Sequence, residues 1–184
     1  TFRGLSKLSN LKYVSVQYGS KVIVDSVLAN PYVEILDLQF CIGEEYDFSR
    51  SVGLRSLSMR SCEFETIPVL LYKLDSIASL DISSAQLNEI SEEIGQLKNL
   101  TRLSLSGNGA SSLRKISSGI SELSKLESLS ISGFPNLKKL PEGMNKLNNL
   151  EGLTLFSNGL EVLPKSLESC LSLRGVVIGD NKFN

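Results

Sequence analysis

The chain has 184 residues and carries 19 basic and 20 acidic side chains, a net charge of −1, so no basic stripe offers itself to a nucleic-acid backbone. Histidine is absent, which removes the commonest general base and the commonest metal ligand, and neither a metal nor a cofactor is expected. No apolar run approaches the ~18 residues of a membrane-spanning helix, so insertion into a bilayer is not expected.

From the N-terminus onward the chain repeats one pattern, Leu-x-x-Leu-x-Leu-x-x-Asn with substitutions. Copies start at Leu11, Val33, Leu54, Ile77, Leu100, Leu126, Leu150 and Leu173, spaced by 22, 21, 23, 23, 26, 24 and 23 residues. The first copies are loose: Leu11, Val14 and Val16, then Val33, Leu36, Leu38 and Cys41, then Leu54, Leu57, Met59 and Cys62. The clearest are Ile77, Leu80, Ile82 and Ala85; Leu100, Leu103, Leu105 and Asn108; and Leu150, Leu153, Leu155 and Asn158. Apolar residues alternating within each copy predict a short strand with one face buried. Such strands are too short to stand alone and must stack on their neighbours into one parallel sheet.

The second half of each copy is also patterned. Ile67, Leu71 and Leu74, then Ile90, Ile94 and Leu97, then Ile116, Ile120 and Leu123 recur at helical spacing and predict a helical or 3-10 turn packed inward. Pro68, Pro141 and Pro164 stand where such a turn begins, and Ser91 and Ser117 take that place in two other copies as candidate caps. Early copies depart from this half, with Ile23 and Val27, then Phe48, standing in. The copy that starts at Leu100 carries an insert near Gly109 to Lys115, expected to bulge after the strand beside Asn108.

The segment Leu140-Pro141-Glu142-Gly143-Met144-Asn145-Lys146-Leu147-Asn148-Asn149-Leu150 resembles the Leu-Pro-x-x-Ile-x-x-Leu-x-x-Leu half of leucine-rich-repeat proteins. The subtype is similar to the 23-residue repeats of cytoplasmic scaffolds, bacterial repeat proteins and plant intracellular receptors. The resemblance implies an α/β solenoid, a horseshoe with a concave parallel β-sheet and short helical or 3-10 turns on the convex side. Residues 1–184 are read as a single leucine-rich-repeat domain of about eight repeats. Both ends cut into a repeat without a polar cap, so a fragment of a longer protein is expected, with further repeats or domains of the same protein at each end. The resemblance implies a non-catalytic module for protein–protein recognition. The alternatives it carries are the substrate-targeting arm of a multidomain enzyme (a ubiquitin ligase, kinase or GTPase) and a microbial surface adhesin.

Several motifs have a structural reading. Asn108, Asn158 and Asn181 occupy the ladder position, where an amide satisfies backbone groups of neighbouring turns. Cys41 and Cys62 share that position and are expected to be buried, reduced thiols; Cys170 falls at a core position. An odd number of cysteines without a framework points to a reducing, cytoplasmic compartment, with the cell surface or secretion as the alternative. Gly107-Asn108-Gly109 lacks the rest of a phosphate loop, and the sequon Asn99-Leu100-Thr101 arises from the repeat pattern itself. Asp37 and Asp81, two repeats and roughly 10 Å apart, have the separation of a glycosidase pair, but contact with a partner or plain hydration is the expected role, and no catalytic residue is assigned.

Residues between the strand leucines point onto the concave face. Serine paves its middle, with Ser56, Ser58, Ser79, Ser104, Ser128 and Ser130. The first two repeats carry Tyr13, Gln17, Tyr18, Ile35, Asp37 and Gln39, with Phe40 beside them. Arg60 and Arg102 flank Asp81, and Phe156 stands near the far end. Aromatic and arginine side chains dominate binding hot spots, and serine is under-represented there. A protein partner is therefore expected at Tyr13, Gln17, Tyr18, Ile35, Asp37, Gln39, Arg60, Asp81, Arg102 and Phe156, with its weight on the N-terminal concave edge.

Overall fold

A computed structural model of the protein describes residues 4–41, 46–62 and 64–183. Each Leu-x-Leu lays down one strand: β1 (Tyr13–Gln17), β2 (Ile35–Gln39), β3 (Ser56–Arg60), β4 (Ser79–Ala85), β5 (Arg102–Gly107), β6 (Ser128–Ser132), β7 (Gly152–Phe156) and β8 (Gly175–Gly179). They form one sheet in sequence order, each parallel to the next. Leu57 pairs with Leu80, Leu80 with Leu103, and Leu103 with Leu129, so each inward leucine lies on its counterpart in the next repeat. Burying such a side chain contributes about 1.5–3 kcal/mol, and two per strand across a shared core hold strands that no isolated hairpin would keep.

All the strands but β5 end in a common way. Tyr18, Phe40, Ser61, Ser84, Ser157 and Asp180 have φ between 50° and 55°, and Gly133 has φ 74°. A left-handed backbone is unfavourable for side chains other than glycine. Here it aims one more N–H along the ladder: Tyr18 N donates to Gln39 O at 2.9 Å and Phe40 N to Arg60 O at 3.0 Å. The next side chain then enters the core at Cys41, Cys62, Ala85, Phe134 and Asn158.

The return halves are mainly 3-10 turns, at Val69–Lys73, Glu92–Gln96, Ser118–Glu122, Met144–Lys146 and Lys165–Ser169 among others. The exception is α1 (Lys21–Leu28), in which Val24, Val27 and Leu28 face inward and Lys21 pairs with Asp25 one turn on. Asn30-Pro31 ends it, since a residue before proline disfavours the helical region. Phe48 is buried in a short turn of its own, as expected of a stand-in for the missing leucine half. The proposed caps require correction. Ser91 and Ser117 stand at the turn N-termini but make no capping bond. Ser91 Oγ instead donates to Tyr72 Oη at 3.2 Å, and Ser117 Oγ is buried without a partner.

The ladder position works as expected at two of its three asparagines. Asn158 Nδ2 donates to Ile131 O at 2.9 Å while its Oδ1 accepts from Phe134 N at 3.1 Å, and Asn181 Nδ2 donates to Leu155 O at 2.8 Å. The two ladder cysteines copy the donor half of this role, Cys41 Sγ toward Val16 O at 3.7 Å and Cys62 Sγ toward Leu38 O at 3.8 Å. Asn108 does not follow: it is exposed, and its Oδ1 accepts from Ala110 N at 3.0 Å. The cause is the long repeat. The β4–β5 register shifts between Ser83 and Ala85, so that Ala85 pairs with Gly107. The extra residues then loop outward at Asn108–Ala110, and buried Ser111 re-enters the core with its Oγ donating to Leu87 O. The insert thus bulges where expected, but Ser111 and Leu113 are anchors within it.

Gly107 has no side chain because none fits. A Cβ there would lie 2.5 Å from Gly133 O and 2.9 Å from the Phe134 ring. Gly107→Ala is expected to destabilise by about 2 kcal/mol through overpacking. A chemical-denaturation midpoint equal to that of the native chain would contradict this packing.

Candidate partner-binding face

The pleat turns the residues between the inward leucines to the outer face of the sheet, in three rows that cross the strands. The first row runs from Tyr13 to Ile35, Ser56, Ser79 and Arg102, each paired with the next. The middle row holds Asp37, Ser58, Asp81 and Ser104, and the third Gln39, Arg60, Ser83 and Ser106. From β3 to β6 the floor is small and hydroxylated apart from Arg60, Asp81 and Arg102, and the large apolar side chains stand at its margins.

The N-terminal margin is apolar. Tyr13 is 56% exposed and Tyr18 74%, with Ile35 and Phe40 beside them. The Tyr18 and Phe40 rings stack at 4.7 Å between centroids and 5° between planes. Their left-handed backbones bring this about, because the same turn at the ends of β1 and β2 aims both rings the same way. The two residues stand at equivalent positions of the repeat, and that equivalence is the sequence signal for the stack.

Polar residues link the margin to the floor. Gln17 Nε2 donates to Gln39 Oε1 at 3.3 Å, and Gln39 Nε2 donates to Asp37 Oδ2 at 2.8 Å. Asp37 and Asp81 share one guanidinium: Arg60 Nε lies 3.9 Å from Asp37 Oδ1 and 4.0 Å from Asp81 Oδ2, and donates to Ser58 Oγ at 3.0 Å. Ser83 Oγ donates to Asp81 Oδ1. Arg102 is exposed and makes no ion pair among the described residues. Of the ten expected contact residues, the structure gathers Tyr13, Gln17, Tyr18, Ile35, Asp37 and Gln39 on β1–β2, with Arg60 and Asp81 adjoining them. Arg102 follows on β5. Phe156 is exposed on β7, roughly 24 Å from β2 at one strand spacing per step, and touches none of them.

A second ladder escaped the sequence reading. Ser76, Asn99, Asn149 and Ser172 each precede the first apolar residue of a repeat. They donate to Val52 O, Asp75 O, Ser124 O and Asn148 O at 2.5–2.8 Å. Asn99 is therefore a structural amide whose Oδ1 also accepts from Lys125 Nζ at 2.6 Å. Its signal was present: a short polar residue recurs before the first leucine.

The three thiols are free and buried. Burial pushes the Cys62 thiol up to about 11 and also raises that of Cys170. Because the thiolate is the nucleophile, both stay protonated and unreactive near neutrality. Iodoacetamide at pH 8 is expected to label neither in the folded chain and both in urea, read by peptide mass spectrometry. Labelling of Cys62 in the folded protein would contradict its burial. No helix among the described residues is long and apolar enough to cross a membrane.

Comparison with solved structures decides the fold. The chain superposes on a leucine-rich-repeat protein of Leptospira interrogans with a TM-score of 0.70 and 22% identity, covering 96% of this chain and 50% of that one. The chain folds as a leucine-rich-repeat solenoid. A Listeria monocytogenes internalin gives a TM-score of 0.72 at 17% identity, again with 96% and 50% covered. The plant peptide hormone receptor RGFR1, solved in complex with RGF2, gives 0.63 at 20% identity, with 94% and 31% covered. This leucine-rich-repeat chain thus spans half or less of these neighbours, and the likeness carries the fold alone. No family model and no curated sequence matches it.

Proposed function

We propose that the chain is a non-catalytic protein–protein recognition module that binds a protein partner through its concave sheet face. The observation that carries this reading is the unevenness of that face. Tyr13, Tyr18, Ile35 and Phe40 hold a continuous exposed apolar margin over a floor of serines, the arrangement in which a few large anchors provide most of the contact energy. Leucine-rich-repeat solenoids are typically interaction modules, and an open curved sheet offers a broad surface for one. Chemistry finds little support on the face: Asp37 and Asp81 are bridged by Arg60, and the thiols lie in the core. Three free thiols support a reducing, cytoplasmic setting, within a receptor-like or scaffold protein that acts in signalling.

Tyr13→Ala with Tyr18→Ala is expected to weaken the complex with the protein partner by more than about 1 kcal/mol, measured by isothermal titration calorimetry. An unchanged dissociation constant would remove the N-terminal margin from the interface.

A further inference from the structure

The charges of the concave face are confined to four neighbouring strands and alternate in sign. Asp37 lies on β2, Arg60 on β3, Asp81 on β4 and Arg102 on β5, and the other outward positions of the eight strands are uncharged. Their pairing is unequal. Arg60 serves both aspartates, at 3.9 and 4.0 Å, too far for a hydrogen bond to either. The Asp37 side chain is only 15% exposed, and its Oδ1 accepts no hydrogen bond. That oxygen is buried, with only the long Arg60 contact to offset it, so the charge of Asp37 is incompletely compensated. Two carboxylates against one guanidinium leave one net negative charge over β2–β4. Arg102, exposed and without an ion pair among the described residues, leaves one net positive charge over β5. The centres of the two lie about two strand spacings, roughly 10 Å, apart.

We infer that this surface selects a partner segment presenting one basic and one acidic side chain about 10 Å apart, the basic one over Asp37 and Asp81 and the acidic one over Arg102. The inference rests on the reading of the concave face as the binding surface and adds the charge chemistry of what it binds. Between these groups the floor is serine apart from Arg60, which leans toward the two aspartates. The aromatic margin of Tyr13 and Tyr18 lies just beyond the negative end, so the basic side chain is flanked by an apolar one.

The test uses a displayed library of random linear dodecapeptides panned on the folded chain. Enriched peptides are sorted by whether Tyr13→Ala with Tyr18→Ala abolishes their binding. Those that depend on the face are expected to carry a Lys or Arg together with an Asp or Glu. Asp37→Asn with Asp81→Asn, which keeps side-chain shape, is expected to weaken them about tenfold, and the loss should vanish when the basic residue of the peptide is changed to Gln. Arg102→Glu alters an exposed side chain away from the core; it should weaken the same peptides, with recovery when their acidic residue is changed to Lys. Face-dependent peptides without a basic residue, or with affinity indifferent to both charge variants, would overturn the charge assignment and leave recognition by the face standing. Recovery of no peptide sensitive to Tyr13 and Tyr18 would overturn the face as the binding surface, and this inference with it.

Discussion

Asn158→Ala is expected to lower the unfolding free energy by about 3 kcal/mol. The side chain is 4% exposed and serves two buried backbone groups at once, as donor to Ile131 O and acceptor from Phe134 N. Alanine cannot replace either bond. It leaves a carbonyl and an N–H without partners in a region closed to water, each at a cost of about 1–3 kcal/mol. The expected loss exceeds that of Asn181→Ala, because Asn181 is only half-buried and its Oδ1 accepts no bond. Denaturation in urea followed by circular dichroism gives both values. A change below about 0.5 kcal/mol for Asn158→Ala would show that the ladder amide is not a structural element here.

Phe134→Ala should cost still more, about 4 kcal/mol. Phe134 is fully buried at the position where Asn158 and Asn181 stand in later repeats, and its ring fills the space that Gly107 leaves open. Removing the ring leaves a cavity whose walls are fixed by strands on both sides, so little of it can collapse. Coupling to Gly107 gives a sharper form of the same expectation. The methyl of Gly107→Ala meets both the Gly133 carbonyl and the ring in the native chain, and only the carbonyl contact remains once the ring is gone. The double variant should therefore be less destabilised than the two single effects together. Strict additivity would mean that the ring and the glycine do not share that space.

Most of the fold was legible because it rests on nearest-neighbour periodicity. Leu80 and Ile82, or Leu103 and Leu105, announce an inward pair on a strand, and the repeat interval announces the neighbour on which they stack. The outward rows follow from the same alternation, which is why Tyr13, Ile35, Asp37, Arg60, Asp81 and Arg102 were placed on one face from the sequence. What was not legible depends on geometry that spacing does not carry. Asn108 matches the ladder motif by position, yet a register shift at Ser83–Ala85 hands that position to Gly107 and the amide goes to solvent. Ser91 and Ser117 have the composition of caps, but a tight 3-10 turn does not bring their hydroxyls to the free N–H groups. The Tyr18–Phe40 stack requires a left-handed turn at the strand end, which glycine would advertise and an aromatic residue does not. The sharing of Arg60 by two aspartates depends on which way a long side chain leans, a choice the pattern leaves open.

The concave face as the seat of recognition is tested most directly by the dissociation constant of the protein partner for two matched variants. Ser104→Trp places bulk in the middle row of the serine floor, on β5, and Val162→Trp places the same bulk at an exposed position outside the sheet. Loss of at least about tenfold in affinity is expected for Ser104→Trp, with no change for Val162→Trp. Unchanged affinity for Ser104→Trp, or a loss confined to Val162→Trp, would contradict binding through the concave face.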